Sequence, residues 1–374
     1  MNFAWSEEQD EFRRGVRRFV AERWPAAEVR RLAGTASGYD PGVWKQLAGE
    51  LGLAGLAVPE ADGGQGFGML ELSIALDELG RELAGGPFFA TACLAVLALR
   101  NVATPAERAE LLPGIAAGET IATLAVADAP AAPSPDTIQC HAQGSRLTGE
   151  KRFVIDGQNA GLLLVAAREA GSRAAEGVGL FALEASAPGV RIEPAPGLDL
   201  TRKLAQLRLQ GAPARRLGAA GSAWPALERT LAEARIGLAS EQIGGAARCL
   251  ELAVAHAQGR IQFGRPIGSF QAVKHRAVDV LTLLELARSA AWWAAWVAAT
   301  GSSELGEASA IAHSLGCEAF EKAAYECIHL HGGMGFTWEH DAHLYYRRAR
   351  ADRVLFGDPA AARATLAHAL GLVA

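Results

Sequence analysis

The chain has 374 residues, of which 50% are hydrophobic and 21% charged, so it is long and apolar enough to bury a sizeable core. Its 36 basic and 41 acidic side chains leave a net charge of −5, which excludes a general electrostatic attraction to nucleic acid. The five cysteines are scattered without CxxC or CxxH spacing. This pattern argues against a disulfide framework and against a metal site, and it favours a reducing cytoplasm.

Residues 1–20, MNFAWSEEQDEFRRGVRRFV, place acidic residues before basic ones and repeat apolar residues at helical spacing. A signal peptide has a different pattern, with a basic start followed by an apolar run. Elsewhere no apolar run avoids charged residues for long enough to span a bilayer. We therefore expect neither a signal peptide nor a membrane segment.

The spacing of apolar residues divides the chain into three regions. Residues 1–118 repeat apolar side chains every three or four positions, as Phe12 and Val16 do, which predicts a helical domain. Residues 119–218 contain short apolar runs, such as TIATLAVA and GVGLFALEA, separated by turn residues, which predicts a β domain. In residues 219–374, stretches rich in Ala, Leu and Glu are much longer than an ordinary helix, and they predict a bundle of long antiparallel helices.

One stretch, GRIQFGRPIGSFQ at 259–271, interrupts the helical pattern of the third region. A plain connection between helices needs neither so many residues nor exposed aromatic rings. A planar guanidinium suits a bidentate contact to phosphate, and glycine lets a backbone approach a ligand closely. The residues alone leave two interpretations open, a ligand contact and a helix–helix turn with solvated arginines.

Four segments resemble the acyl-CoA dehydrogenase family, and the resemblance extends over nearly the whole chain. They are SEEQDEFRRGVRRFV at 6–20, VPEADGGQGFG at 58–68, GRIQFGRPIGSFQAVKHRAVD at 259–279 and LHGGMGFTWEHD at 330–341. The resemblance implies an α+β fold with an all-α N-terminal domain, a central β-barrel and a C-terminal four-helix bundle. It also implies an FAD cofactor, an acyl-CoA substrate, electron-transferring flavoprotein as the redox partner, and a homo- or hetero-oligomer built as a dimer of dimers.

The resemblance assigns the 259–271 stretch to a cofactor bound in a neighbouring subunit. It implies that Arg260 pairs with the FAD pyrophosphate, that Phe263 packs on the adenosine portion and that Gln271 hydrogen-bonds to the cofactor. With the resemblance, the ligand contact becomes the preferred interpretation of this stretch.

Two further segments bear on the cofactor. The resemblance implies that Gly332 and Gly333 let the backbone lie against the partner's FAD, and His329 replaces the glutamine that usually precedes them. In the β domain, the usual Trp-x-Thr or Trp-x-Ser segment is replaced by Phe153-Val154-Ile155, which has no hydroxyl for the flavin ring. The chain thus keeps the residues that reach into a partner's site and loses part of its own, which indicates one subunit of a heteromer.

The position of the catalytic base departs from the family pattern. The usual Tyr-Glu-Gly-Thr segment corresponds to Leu355–Asp358, so Phe356 occupies the position of the glutamate. The alternative family position, on the first long bundle helix, is occupied by Ala234. Glu241 follows it by about two helical turns and is the first candidate for the base. Asp358 is the second candidate.

Glycines surround the first candidate. Gly237, Gly244 and Gly245 lie within one helical turn of Glu241, although each costs about 1 kcal/mol of helix propensity. We interpret them as space for a ligand beside the carboxylate. The alternative is close helix packing around a core glutamate.

We therefore predict an FAD-dependent acyl-CoA dehydrogenase, acting alone or as one subunit of a heteromer. It introduces an α,β double bond by removal of the α proton and transfer of the β hydride to flavin N5. The alternatives are a non-catalytic subunit that completes and stabilises a partner's flavin site, and a flavin reaction on a substrate that is not a CoA thioester. The resemblance favours a bacterial branch that acts on steroid-side-chain or alicyclic acyl-CoA thioesters. Candidate residues for the acyl pocket are Phe88, Phe89, Leu94 and Leu97.

Overall fold

The computed structural model describes residues 5–129, 133–169, 171–172, 174–221 and 223–372. The described part of the first region is helical, as predicted, and it also contains π-helical turns at Lys45–Glu50 and Phe89–Ala95. Its α-helices are α1 (Glu7–Arg23), α2 (Ala26–Ala33), α3 (Pro41–Trp44), α4 (Met69–Arg81), α5 (Val96–Val102) and α6 (Pro105–Ala116).

The second region forms an eight-stranded sheet with its own apolar core. The strands are β1 (Ala122–Ala125), β2 (His141–Gln143), β3 (Arg146–Ile155), β4 (Leu162–Glu169), β5 (Val178–Glu184), β6 (Val190–Ala195), β7 (Leu204–Pro213) and β8 (Arg215–Leu217). Their order is β6-β7-β3-β2-β4-β5-β8, and β1 pairs in parallel with β4.

The predicted α+β class and the order of helical, sheet and helical regions are confirmed, but the strands of the described residues do not close into the predicted barrel. Among the described strands, β6 and β8 end the ladder and do not pair with each other, so the sheet remains open. One of these two edge strands, β8, has only three residues. A barrel needs a continuous hydrogen-bonded circuit, and strands of this length supply few bonds toward it.

The third region contains three long helices with two shorter ones packed on the third, which gives the predicted C-terminal helical bundle. None of the helices in the described part of the chain is long and apolar enough to cross a lipid bilayer. The helices are α7 (Ala223–Gly259), α8 (Gln271–Thr300), α9 (Leu305–His331), α10 (Ala342–Asp352) and α11 (Pro359–Ala369).

The stretch between α7 and α8 is a small hairpin of β9 (Ile261–Gln262) and β10 (Arg265–Pro266). Its turn residues Phe263 and Gly264 both have positive φ, at 54° and 76°, as the two-residue turns that match strand twist require. The Phe263 side chain is 90% exposed. The hairpin therefore presents an aromatic ring to the outside of the chain.

Helix α4 crosses α7 in direct backbone contact. A Cβ atom on Gly80 would lie 2.0 Å from the Glu241 carbonyl oxygen, and a Cβ atom on Gly244 would lie 1.8 Å from the Asp77 carbonyl oxygen. Any larger residue would force the helices apart. These two glycines therefore join the N-terminal helices to the bundle.

The predicted ligand space beside Glu241 is absent, and that interpretation of the glycines is wrong. A Cβ atom on Gly237 would lie 2.5 Å from the Cys93 sulfur, and one on Gly245 would lie 2.6 Å from the Phe320 ring. Neighbouring side chains fill the space that the missing side chains leave. Close packing, the alternative interpretation, accounts for the glycines.

Five buried charged residues form a network that joins the sheet region to the bundle: Asp199, Arg202, Glu241, Arg348 and Asp352. The Arg202 Nη2 group donates to both Glu241 carboxylate oxygens, at 2.7 and 2.8 Å. Arg348 donates to Glu241 and to Asp199. We call this set the ion-pair network.

Asp352 is the weakly bound member of the network. Its side chain is fully buried, its Oδ1 atom lies 3.5 Å from the Arg202 Nε atom, and neither carboxylate oxygen accepts a hydrogen bond from the described residues. Burial raises the pKa of Asp352 to about 7. Its carboxyl group therefore changes charge near neutral pH.

The α4–α7 contact gives the first prediction. Gly244→Ala should lower the free energy of unfolding by about 1 to 3 kcal/mol, because the new methyl group overlaps the Asp77 carbonyl. Gly15→Ala in α1 is the control, since a Cβ atom there would meet nothing within 4 Å, and it should be neutral or stabilising. Urea unfolding of both variants measures the difference, and equal effects would contradict close packing.

The second prediction concerns pH. The folded-state pKa of Asp352 is raised above its ordinary value of 3.8, so its contribution to stability is present below that value and is lost as the pH rises through about 7. Asp352→Asn stays neutral and should therefore melt at a higher temperature than the wild type at about pH 8, with a smaller difference at about pH 5. If the melting temperatures of the wild type and of Asp352→Asn changed equally with pH, the raised pKa of Asp352 would be contradicted.

Candidate active site

A cavity of about 680 Å³ lies where the sheet region meets the bundle. Its walls come from β1, β3, the loop at 196–203 and the segment from the end of α10 to the start of α11, and most of its lining residues are apolar. The lining residues Phe153, Leu198 and Val354 are 44%, 51% and 68% exposed, so they mark the mouth. Leu94 and Leu231 are buried and mark the floor.

Charged residues also line the cavity. Arg152 is exposed beside the mouth residue Phe153, Arg350 pairs with Glu321, and two members of the ion-pair network belong to the wall. The charged lining residues are Arg152, Asp199, Arg202, Arg350 and Asp358.

Glu241, the first candidate for the base, does not line this cavity. It borders a void of about 20 Å³ together with Arg348, and Arg202 is the residue that lines both spaces. Arg202 therefore stands between the carboxylate and the cavity, and its Nη2 group occupies both carboxylate oxygens. No sequence signal could have revealed these pairs, because Arg202 and Arg348 are 39 and 107 positions away from Glu241.

Asp358, the second candidate, does line the cavity. One carboxylate oxygen accepts the Ala360 N–H at 2.7 Å and caps α11, as aspartate commonly does at a helix start. The other oxygen lies 3.4 Å from the Arg353 Nε atom, beyond ordinary hydrogen-bond distance. The side chain is 45% exposed, so this second oxygen can turn toward a ligand.

Phe356 occupies the cavity wall where the resemblance implies a glutamate. Its φ angle is 57°, and its ring stacks on Phe89 at a centroid distance of 6.1 Å. The Phe356 carbonyl accepts a hydrogen bond from Arg235 at 3.0 Å. An apolar ring that packs in this way has no group that can accept a proton.

A side chain of the bundle also binds the carbonyl group of the next residue, Gly357. The Gly357 carbonyl lies 2.7 Å from the His313 Nε2 atom. Burial lowers the pKa of His313 to about 4, so the ring is neutral near pH 7 and donates through a protonated Nε2 atom. The segment opposite the cavity floor is therefore fixed by two side chains from the bundle.

The four residues predicted for the acyl pocket lie in different places. Leu94 lines the cavity, whereas Phe88 and Phe89 border the small void beside Glu241. Leu97 lines neither space and belongs to the main apolar core of the chain.

The residues predicted to reach a partner's cofactor face outward. Arg260 and Gln271 are exposed, and their side chains make no hydrogen bond or ion pair with the described part of the chain. Cβ atoms on Gly332 and Gly333 would meet nothing within 4 Å. His329 is also exposed on this side, beside Tyr325.

A contact between two histidine rings shows that the two segments lie close together. The His331 ring lies 4.2 Å from the His256 ring, so the end of α9 lies beside the end of α7, next to the hairpin. A free guanidinium and open glycine backbone are the donor set that suits a pyrophosphate. Phe153 has φ of 55° and offers an aromatic face at the cavity mouth, although no hydroxyl follows it. The guanidinium, the open glycine backbone and the aromatic ring are groups that would suit the pyrophosphate and the rings of FAD.

Two family models match the chain. Residues 6–119 match the N-terminal domain of acyl-CoA dehydrogenases, and residues 221–371 match the C-terminal domain.

Individual proteins and structures agree with these matches. Acyl-CoA dehydrogenase IpdE2 of Mycolicibacterium smegmatis is 34% identical over 355 residues, which cover 95% of this chain and 96% of that protein. The structure of a variant of the Tcur3481-Tcur3483 steroid ACAD is 31% identical, with a TM-score of 0.86 and 98% coverage of both chains. The ChsE4-ChsE5 complex from Mycobacterium tuberculosis is 27% identical, with a TM-score of 0.89 and full coverage of both chains. This chain belongs to the acyl-CoA dehydrogenase family.

Proposed function

We propose that this chain carries out FAD-dependent α,β-dehydrogenation of an acyl-CoA thioester whose acyl group lies in the cavity of about 680 Å³. The observation that carries the proposal is the position of Asp358 on the wall of a largely apolar cavity. Among the described lining residues, it is the carboxylate outside the ion-pair network. The steroid and heteromeric relatives support an alicyclic acyl group and assembly with a second subunit.

The chemistry needs one base. The α C–H of a thioester is a weak acid, and a carboxylate within reach can accept its proton. In this proposal Asp358 accepts the proton, and the apolar lining of the cavity shields the bound acyl group from water. FAD, when bound, accepts the hydride lost from the β carbon, and electron-transferring flavoprotein is the proposed electron acceptor.

Glu241 has a positioning role in this proposal. Its carboxylate holds the Arg202 guanidinium at the cavity floor. Glu241 remains the alternative base, but it reaches a substrate only after Arg202 moves away from its place between the two.

A second candidate function is a non-catalytic subunit that completes a partner's flavin site. Phe356 in the place of the usual base favours it, and so does the use of Asp358 as a helix cap. The exposed hairpin and the glycine segment at 332–333 would then be the contribution of this chain to the assembly. The purified chain would contain no flavin alone and would acquire it only with a second subunit.

The third prediction separates the two candidate bases. Asp358→Asn should lower the rate of flavin bleaching by acyl-CoA by about 100-fold or more, with unchanged flavin content. Asp358→Ser is a second variant, since both asparagine and serine can cap α11, and an equal loss in both would assign the effect to the carboxylate. Glu241→Gln should keep bleaching but lower stability by roughly 3 kcal/mol, because two buried guanidinium groups lose a charged partner.

Stopped-flow absorbance measures the bleaching in each variant. Bleaching that survives in both Asp358 variants and disappears in Glu241→Gln would move the base to Glu241. Bleaching that survives in all three would contradict both assignments and favour a base supplied by a partner.

The fourth prediction concerns the hairpin. Because the Phe263 side chain is 90% exposed, Phe263→Ala should leave the folding of the single chain unchanged. It should nevertheless lower the flavin content of the purified assembly several-fold, because an aromatic contact to the cofactor is lost. Leu51→Ala, another exposed apolar residue, is the control for general loss of surface area. Equal flavin content in both variants would contradict a cofactor contact at Phe263.

A further inference from the structure

The floor of the cavity carries a cation. Arg202 lines the cavity, yet it is only 7% exposed, and its guanidinium lies 4.9 Å from the centre of the Phe89 ring. The neighbouring floor residues Leu94 and Leu231 are apolar. A buried guanidinium costs free energy unless its N–H groups are paired, and a purely hydrocarbon acyl chain cannot pair with them.

Arg202 has hydrogen-bonding capacity to spare. A guanidinium carries five N–H donors. Its Nη2 group donates to Glu241, whereas the Nε atom is buried without a hydrogen-bond partner among the described residues. The interaction nearest to the Nε atom is the ion pair with Asp352 at 3.5 Å. The Nε atom faces Asp352 and not the cavity, but the Nη1 group also makes no hydrogen bond with the described residues and is not among the buried atoms, so its two N–H donors are available to a ligand.

The charges around Arg202 determine whether an ionised or a neutral ligand group can bind to it. Arg202 and Arg348 are balanced by Glu241 and Asp199, and Asp352 adds a further carboxyl group to the same site. A ligand carboxylate would bring one more negative charge into a buried network that is already balanced. A neutral oxygen, as in a ketone or a hydroxyl group, accepts a hydrogen bond without this cost.

The size of the cavity agrees with a bulky acyl group. Its volume of about 680 Å³ lies within the range of pockets that enclose drug-sized molecules, and its walls are mainly apolar. We infer that the acyl group has an apolar body and a neutral oxygen acceptor at the end distant from the thioester, and that Arg202 binds this oxygen at the floor. The inference rests on the proposed function, since it assumes that an acyl-CoA enters this cavity.

The test compares matched ligands. A series of straight-chain acyl-CoA thioesters of increasing length is titrated calorimetrically into the purified assembly, each beside its (ω−1)-oxo form and its ω-carboxylate form. At the chain length that spans the cavity, the oxo form should bind about 10- to 100-fold more tightly than the parent, as a hydrogen bond to a charged donor allows. The carboxylate form should bind no more tightly than the parent.

Each outcome decides between the two proposals. Equal affinity of oxo and parent forms at every length would overturn the inference alone, and so would tightest binding of the carboxylate form. Absence of binding by all thioesters would overturn the proposed function as well. Flavin bleaching by the parent thioesters is measured in parallel and tests the proposed function separately.

Variants assign the effect to Arg202. The double variant Arg202→Met/Glu241→Gln removes one positive and one negative charge together, and it should bind the oxo and parent forms equally. Arg152→Gln is the matched control, because Arg152 lines the same cavity but is exposed beside the mouth. It should preserve the oxo preference. If the double variant does not fold, Arg202→Lys replaces it, and the loss of the planar fork should reduce the preference.

Discussion

The architecture depends on a buried ion-pair network between the sheet and the bundle. Arg348 from α10 and Glu241 from α7 meet Asp199 and Arg202 from the loop at 196–203. Buried ion pairs add little net stability, because desolvation offsets the attraction between the charges, but a broken pair is costly. The network therefore fixes how the two regions meet more than how stable each one is. The cavity forms at this junction, so its shape follows from the same contacts.

The sequence predicts the class of each region well, because helical and strand periodicities are local properties. The hairpin turn at Phe263 and the open sheet could not be predicted from periodicity, since ladder closure depends on strands far apart in the chain. The glycines near Glu241 were ambiguous for a related reason. The sequence shows only that a side chain is missing, and it does not show whether a ligand or another helix fills the space. At Gly244 the backbone of α4 fills it.

In the candidate site, the contacts that hold the backbone are distinct from the side chain that stands at the expected position of the base. The segment around Phe356 keeps a fixed shape because Arg235 and His313 bind its carbonyl groups, and these contacts do not involve the side chain at position 356. A residue there can change from carboxylate to ring without disturbing the backbone. The identity of the base is therefore the least predictable feature of this family member, whereas the cavity around it follows from the fold.

The hairpin has a consequence for how the chain meets other subunits. A non-glycine residue with positive φ costs roughly 1 to 2 kcal/mol, and at Phe263 this cost is met within the single chain, before any partner arrives. The aromatic ring is thus preorganised, so that association loses little conformational entropy at this point. In the proposed assembly a partner's cofactor covers this ring, whereas in the single chain the ring is 90% exposed to water. An excess of the unassembled chain would therefore expose an apolar surface that favours self-association.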